Sequence, residues 1–332
     1  MNNILLVILF LLFAGCSQKQ YFTPSKDSIV GKVEFDDKLE SHISQSNKNG
    51  ALLSDGTLIA KDGIYNINLK ENYTFLNING DLILVGNYET NTLSILNKDG
   101  KELKSFTFEY MPISASIRDN ILAAVLADNS FVLWDTNVDE KLFSSNNSTA
   151  YAINSKVASP LFIDDMVVFP AFDGKVVILN LNNFQILNTI AISSEAYFNN
   201  IIYLASSGKN LIIATSNKLM TFIDGKDFSK DLNISDILFT NNKIYILSLE
   251  GEVIEFDLLL NELNKAKFQY ANLSSIIISD NIYTLESQGY MIKIDPNSFV
   301  DSIYKIDIDE YKNSFYTDDV IYYDNRIIRF PK

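Results

Sequence analysis

The chain has 332 residues, 47% of them hydrophobic and 12% aromatic, with 27 Lys and Arg against 41 Asp and Glu for a net charge of −14. Length alone allows one large domain or two, and the acidic balance sets the chain against polyanions, so nucleic acid is not a partner. With one Cys and one His in the whole sequence, disulfide frameworks and Cys/His metal sites are excluded.

Ile4 to Ala14 is an uninterrupted apolar run of 11 residues, the length of a signal-peptide core and too short to span a bilayer. The Phe13-Ala14-Gly15-Cys16 that closes it resembles the bacterial lipobox. That resemblance implies that residues 1–15 are a lipoprotein signal peptide and that Cys16 is acylated; an ordinary signal peptide followed by a stray Cys is the alternative. Residues 16–27 are polar, contain Pro24 and show no period, which predicts a flexible lipidated tether. Ser28 to Phe35 reads as a strand. Residues 36–49 are polar and hold His42, which lacks any Cys, His or acidic neighbour at ligand spacing and reads as a surface residue.

From there one pattern recurs: a turn residue, a short apolar strand, then Asp or Asn. Asp173-Gly174-Lys175-Val176-Val177-Ile178-Leu179-Asn180 is its clearest copy. Others run from Asn91 to Asn97, Asn129 to Asp135, Gly251 to Asp257 and Gly289 to Asp295, with looser copies at 62–68, 218–224 and 325–331. The eight copies end 29 to 45 residues apart, the period of a β-propeller blade. Each unit reads as four strands, a to d from the inside outward. The b strands, such as Leu82 to Val85 and Leu211 to Ala214, are apolar throughout, as strands covered on both faces are. Asp, Asn and Gly mark the a–b turns, as in Asn79-Gly80-Asp81, Asp119-Asn120 and Asn241-Asn242, where they accept left-handed backbone. The Asp or Asn closing each c strand is read as a cap on the following turn. The single Trp, Trp134, sits at a c-strand end and reads as blade packing.

The last unit, 314–330, lacks a strand d. Pairing the N-terminal strand Ile29 to Phe35 beside Arg326 to Phe330 would close the ring and cover its open edge. The fold read from sequence is therefore all-β: an eight-bladed β-propeller of four-stranded antiparallel blades over residues 28–332, closed by N- and C-terminal strands, with seven blades as the alternative. Only residues 139–160 break the spacing. They include a polar tract and then Ala150-Tyr151-Ala152-Ile153, and such insertions in repeat folds often bind.

A lipobox followed by eight such repeats resembles the BamB family, the β-propeller lipoproteins of outer-membrane β-barrel assembly. The resemblance implies a non-catalytic scaffold, monomeric within a complex, lipid-anchored in the outer membrane and facing the periplasm. Its expected partner is the barrel-inserting subunit, and it has no cofactor. The family's docking segment matches 151–160 here, which implies Tyr151 and Ile153 as the apolar contacts and Lys156 as the cation. A quinone- or sugar-acting enzyme on the same repeat is the alternative, although the adjacent-Cys pair of quinoprotein dehydrogenases cannot exist with one Cys. No Gly-rich phosphate loop or Gly-x-Ser-x-Gly elbow is present.

Overall fold

Residues 20–145, 153–308 and 312–331 are described by a computed structural model, and apart from a 3-10 turn at Lys26–Ser28 their regular structure is β-strand. The strands form eight sheets of four antiparallel strands, in chain order in the first seven and completed from the N-terminal side in the eighth, with one extra strand on the seventh. Blades 1 to 4 occupy residues 43–66, 73–107, 112–145 and 161–191. Blades 5 to 7 occupy 203–231, 234–267 and 273–305, and blade 8 combines 314–329 with Asp37–Lys38. The structure is the eight-bladed propeller expected from the repeat.

Each blade interface has its own apolar core. Leu84, Leu93, Ala115 and Leu122 pack between blades 2 and 3, Phe131 stacks on Phe169 between blades 3 and 4 at 4.9 Å, and Ile212, Ile244 and Phe256 fill the gap between blades 5 and 6. The b strands feed two neighbouring cores at once, which is why they carry no polar face. The d strands lie at the rim, and Ile186–Ala191 is almost wholly exposed. Trp134 packs against Phe106 and Phe108 across the interface of blades 2 and 3, at 5.5 and 6.3 Å between centroids.

Turn chemistry acts as the sequence implied. Gly80, Asp119, Asp164, Gly208 and Asn241 take left-handed φ of 47–60° at a–b turns. At c-strand ends, the side-chain oxygen of Asn97, Asp135, Asn180, Asp257 and Asp295 each accepts two backbone N–H bonds from the next turn.

Two expectations need correction. The copy at 62–68 is strand d of blade 1, Gly63–Asn66; strand c is Thr57–Ala60, which buries Leu58 and Ile59 completely. Ring closure also uses other residues than expected. The N-terminal strand ends at Lys32 and runs parallel to Asp301–Lys305 as a fifth strand on blade 7. The chain then steps outward, and Asp37–Lys38 pairs with Ile327 and Arg326 to supply strand d of blade 8. Asp36 N–H to the Ile327 carbonyl (2.8 Å) and Leu39 N–H to the Asn325 carbonyl (2.7 Å) extend that pairing. Closure by strands from both termini therefore holds, but the register places Val33 and Phe35 over the core between blades 7 and 8 rather than beside the last strand.

Candidate functional site

The a strands line a central channel and tie neighbouring blades together. Gln45 donates to the Tyr73 carbonyl, Asn77 to the Ala115 carbonyl and Ser235 to the Leu273 carbonyl, at 2.9, 2.9 and 2.5 Å. Inside is a cavity of about 490 Å³ bordered by Lys48, Asn77, Ser116, Ala158, Tyr203 and Tyr316.

Blade 1 has the short a–b turn Asn47-Lys48-Asn49, which delivers Lys48 into the channel. Its ammonium pairs with Asp236 of blade 6 and donates to the Ile237 carbonyl (3.1 Å) and to Tyr316 Oη of blade 8 (2.5 Å). Tyr316 in turn donates to Asp236 Oδ2 at 2.6 Å, and the Ile237 N–H donates to Oδ1 at 2.9 Å. Burial pushes the Lys48 ammonium below the ordinary lysine range, against the pull of Asp236. Burial alone would raise the Asp236 carboxyl, but the Lys48 and Lys156 charges and the bonds from Lys48 and Tyr316 prevail, so it stays below the usual carboxylate range. Burial first and the Asp236 charge second push the Tyr316 phenol well up. The three side chains satisfy one another, which makes them a strut across the channel rather than a poised acid, base or nucleophile. Their residues were not singled out in the sequence. The one visible signal was Asp236, an acid inside the apolar strand Ile234–Thr240.

Val157, Ala158 and Ser159 of the inserted segment border the cavity. Asn154 N–H donates to Asn200 Oδ1 (2.6 Å), Asn200 Nδ2 donates to the Lys156 carbonyl (2.7 Å), and the Ala158 N–H donates to the Ile201 carbonyl (3.0 Å). Ser159 accepts from Asn49 at 3.0 Å, on blade 1. Of the residues implied as docking contacts, Ile153 packs partly buried against the core of blades 3 and 4. Lys156 is exposed and donates to the Ser235 carbonyl of blade 6. Tyr151 and Cys16 lie outside the described residues. The structure thus brings Ile153 and Lys156 into one crossing segment, with Ile153 turned toward the core. His42 is exposed and bonded to Asp324 at 2.6 Å.

Strand direction divides the outside into two faces. The b–c turns and d–a connections emerge at one end, here the loop face, and the a–b and c–d turns at the other, the turn face. Exposed aromatic side chains are unevenly shared between them. Tyr88, Tyr110, Tyr197, Phe198 and Tyr270 are 43–61% exposed and all lie on the loop face, with Leu249 beside them at 64%. The turn face carries exposed Val138, Leu259 and Val300, all aliphatic. Sequence reading passed over this set, although Tyr197-Phe198 inside the polar stretch 193–200 was a visible signal. Next to it, Glu195, Glu250, Glu252 and Asp231, the last paired with Lys218 at 3.3 Å, border a groove of about 780 Å³ that spans blades 4 to 6.

No family model matches the chain. Two curated proteins, both called plasminogen-binding protein PgbB and from Helicobacter pylori strains J99 and 26695, are 31% identical to it over 340 residues. The match takes in 89% of this chain, and the chain spans 63% and 62% of the two relatives. Among solved structures, BamB from Moraxella catarrhalis superposes with a TM-score of 0.66 at 13% identity, covering 94% of this chain and 99% of that one. The C-terminal WD40 domain of Sif2 gives 0.66 at 12% identity, covering 92% of this chain and 100% of its own. The structural likenesses establish the propeller fold, and the sequence likeness to PgbB runs through most of the chain.

Proposed function

We propose that this chain is a non-catalytic protein-binding platform that engages its partner through the loop face. The carrying observation is that, among the described residues, five exposed aromatic side chains lie on that face and none on the turn face. Such side chains bury large area at low entropy cost and are enriched at protein interfaces. The locked strut of Lys48, Asp236 and Tyr316 supports a scaffold role for the channel.

In its finer form, the platform is a lipoprotein held in the outer membrane by acylated Cys16, facing the periplasm and serving β-barrel assembly. The lipobox-like Phe13 to Cys16 followed by eight blades favours this reading. Affinity purification of the full-length protein from membranes tests it. Enrichment of the barrel-inserting subunit is the expected result, and recovery without it overturns the assembly role. Cys16→Ala is expected to release the protein from the membrane fraction, and unchanged retention overturns the anchor.

The second reading takes plasminogen as the partner, favoured by the 31% identity to proteins of that name. It requires the propeller at the cell surface. Surface plasmon resonance over immobilised plasminogen decides it: saturable binding supports the reading and its absence overturns it.

A further inference from the structure

Phe22 fixes where the N-terminal segment leaves the propeller. Its side chain is 8% exposed and packs edge-on against Phe268 and Tyr290, at 6.2 and 5.6 Å between centroids. Phe268 opens the d–a connection from blade 6 to blade 7, and Tyr290 begins strand c of blade 7, so both lie at the loop-face end. Exposed Tyr270 stands two residues beyond Phe268. The exit point and the aromatic face therefore share one side of the ring.

Phe22 is six residues from Cys16, at most about 20 Å of fully extended chain. A lipid on Cys16 cannot lie farther than that from the loop-face rim of blades 6 and 7. The turn face is one blade strand farther away, about 20 Å for strands of 5 to 7 residues. Resting on the acylation of Cys16 set out above, we propose that the propeller hangs with its aromatic face toward the membrane holding its lipid. The partner of that face is then a protein seated in the same membrane. The lipid surface is a poor occupant, because the acid-lined groove on this side and the net charge of −14 oppose anionic headgroups. The turn face points into the aqueous compartment, so a freely diffusing partner would meet that side first.

The test uses the full-length acylated protein in vesicles containing an acceptor-labelled headgroup lipid, with a donor dye on Tyr270→Cys, Tyr197→Cys, Leu259→Cys or Val138→Cys. Acylation blocks the native thiol, which leaves one labelling site in each variant. Energy transfer from positions 270 and 197 is expected to exceed that from 259 and 138 at least twofold. Adding Phe22→Ala, which frees the tether, is expected to shrink the difference. Equal transfer from both faces, or stronger transfer from the turn face, in protein that sediments with the vesicles overturns the orientation alone. Failure to sediment with the vesicles overturns the anchor, and the orientation with it.

Discussion

Lys48 crosses the channel from a turn of blade 1 to meet partners 188 and 268 residues away in the chain. Asp236 is 5% exposed at its side chain, so removing the cation strands a buried carboxylate. Lys48→Met is expected to cost about 3 kcal/mol, and adding Asp236→Asn to recover at least half of it, both read by urea unfolding. The same pair sets an acid response. The Asp236 carboxyl is depressed from 3.8, so its contribution is complete above that value and lost as pH falls through the lower folded value. Lys48→Met raises the folded value and removes this acid-driven loss, so the stability cost of the variant is expected to be smaller at acid pH than at neutral pH, read by urea unfolding at each pH. Gly251 gives a backbone counterpart. Its φ is +78°, and a Cβ there would meet the Phe268 carbonyl oxygen at 2.2 Å, so Gly251→Ala is expected to cost about 2 kcal/mol. Residues of these two kinds were unequally legible. Asp257 and Asn180 act on amides within four positions, so type and place revealed them. Lys48 acts through contacts that only ring closure creates, and no local pattern marks it.

Closure itself is an affair of short elements. Among the described residues, the core between blades 8 and 1 has the buried members Ile43, Ala51, Leu53, Ile59 and Phe315, with Leu39 and Tyr322 partly buried against them, whereas the one between blades 6 and 7 has twelve buried members. Local opening follows buried apolar contact, so hydrogen exchange is expected to be fastest, among the b strands, in Gly50–Leu53 and Val320–Tyr323. Uniform protection around the ring would count against a weak seam. The N-terminal segment has an anchoring residue of its own. Phe22→Ala is expected to speed proteolysis between residues 20 and 28 while lowering Tm by only a few degrees, because those residues precede the first strand that joins a blade. A strand near Ile29 was legible from its alternating apolar residues, but its pairing was not. The closing strand Asp37–Lys38 consists of two charged, exposed residues, and hydrophobic period is silent about such a strand. The pinning of Phe22 was equally hidden, since the adjacent pair Tyr21-Phe22 in a polar stretch shows no period.

At the scale of the whole molecule, the repeat pattern was enough to specify eight blades, because each unit must bury both faces of its b strand against neighbours. The division into two unlike faces was not, because exposed residues follow no period and their side of the ring depends on strand direction. That division carries the function proposed for the chain. The most direct test compares two triple variants of the full-length protein for partner recovery by affinity purification from membranes. Tyr110→Ala with Tyr197→Ala and Phe198→Ala strips the loop face, and Val138→Ala with Leu259→Ala and Val300→Ala strips the turn face. The loop-face variant is predicted to lose partner recovery at least about tenfold at unchanged Tm, as interfaces anchored by aromatic hot spots do, while the turn-face variant matches the wild type. Equal recovery by both variants, or loss confined to the turn-face variant, would contradict the account.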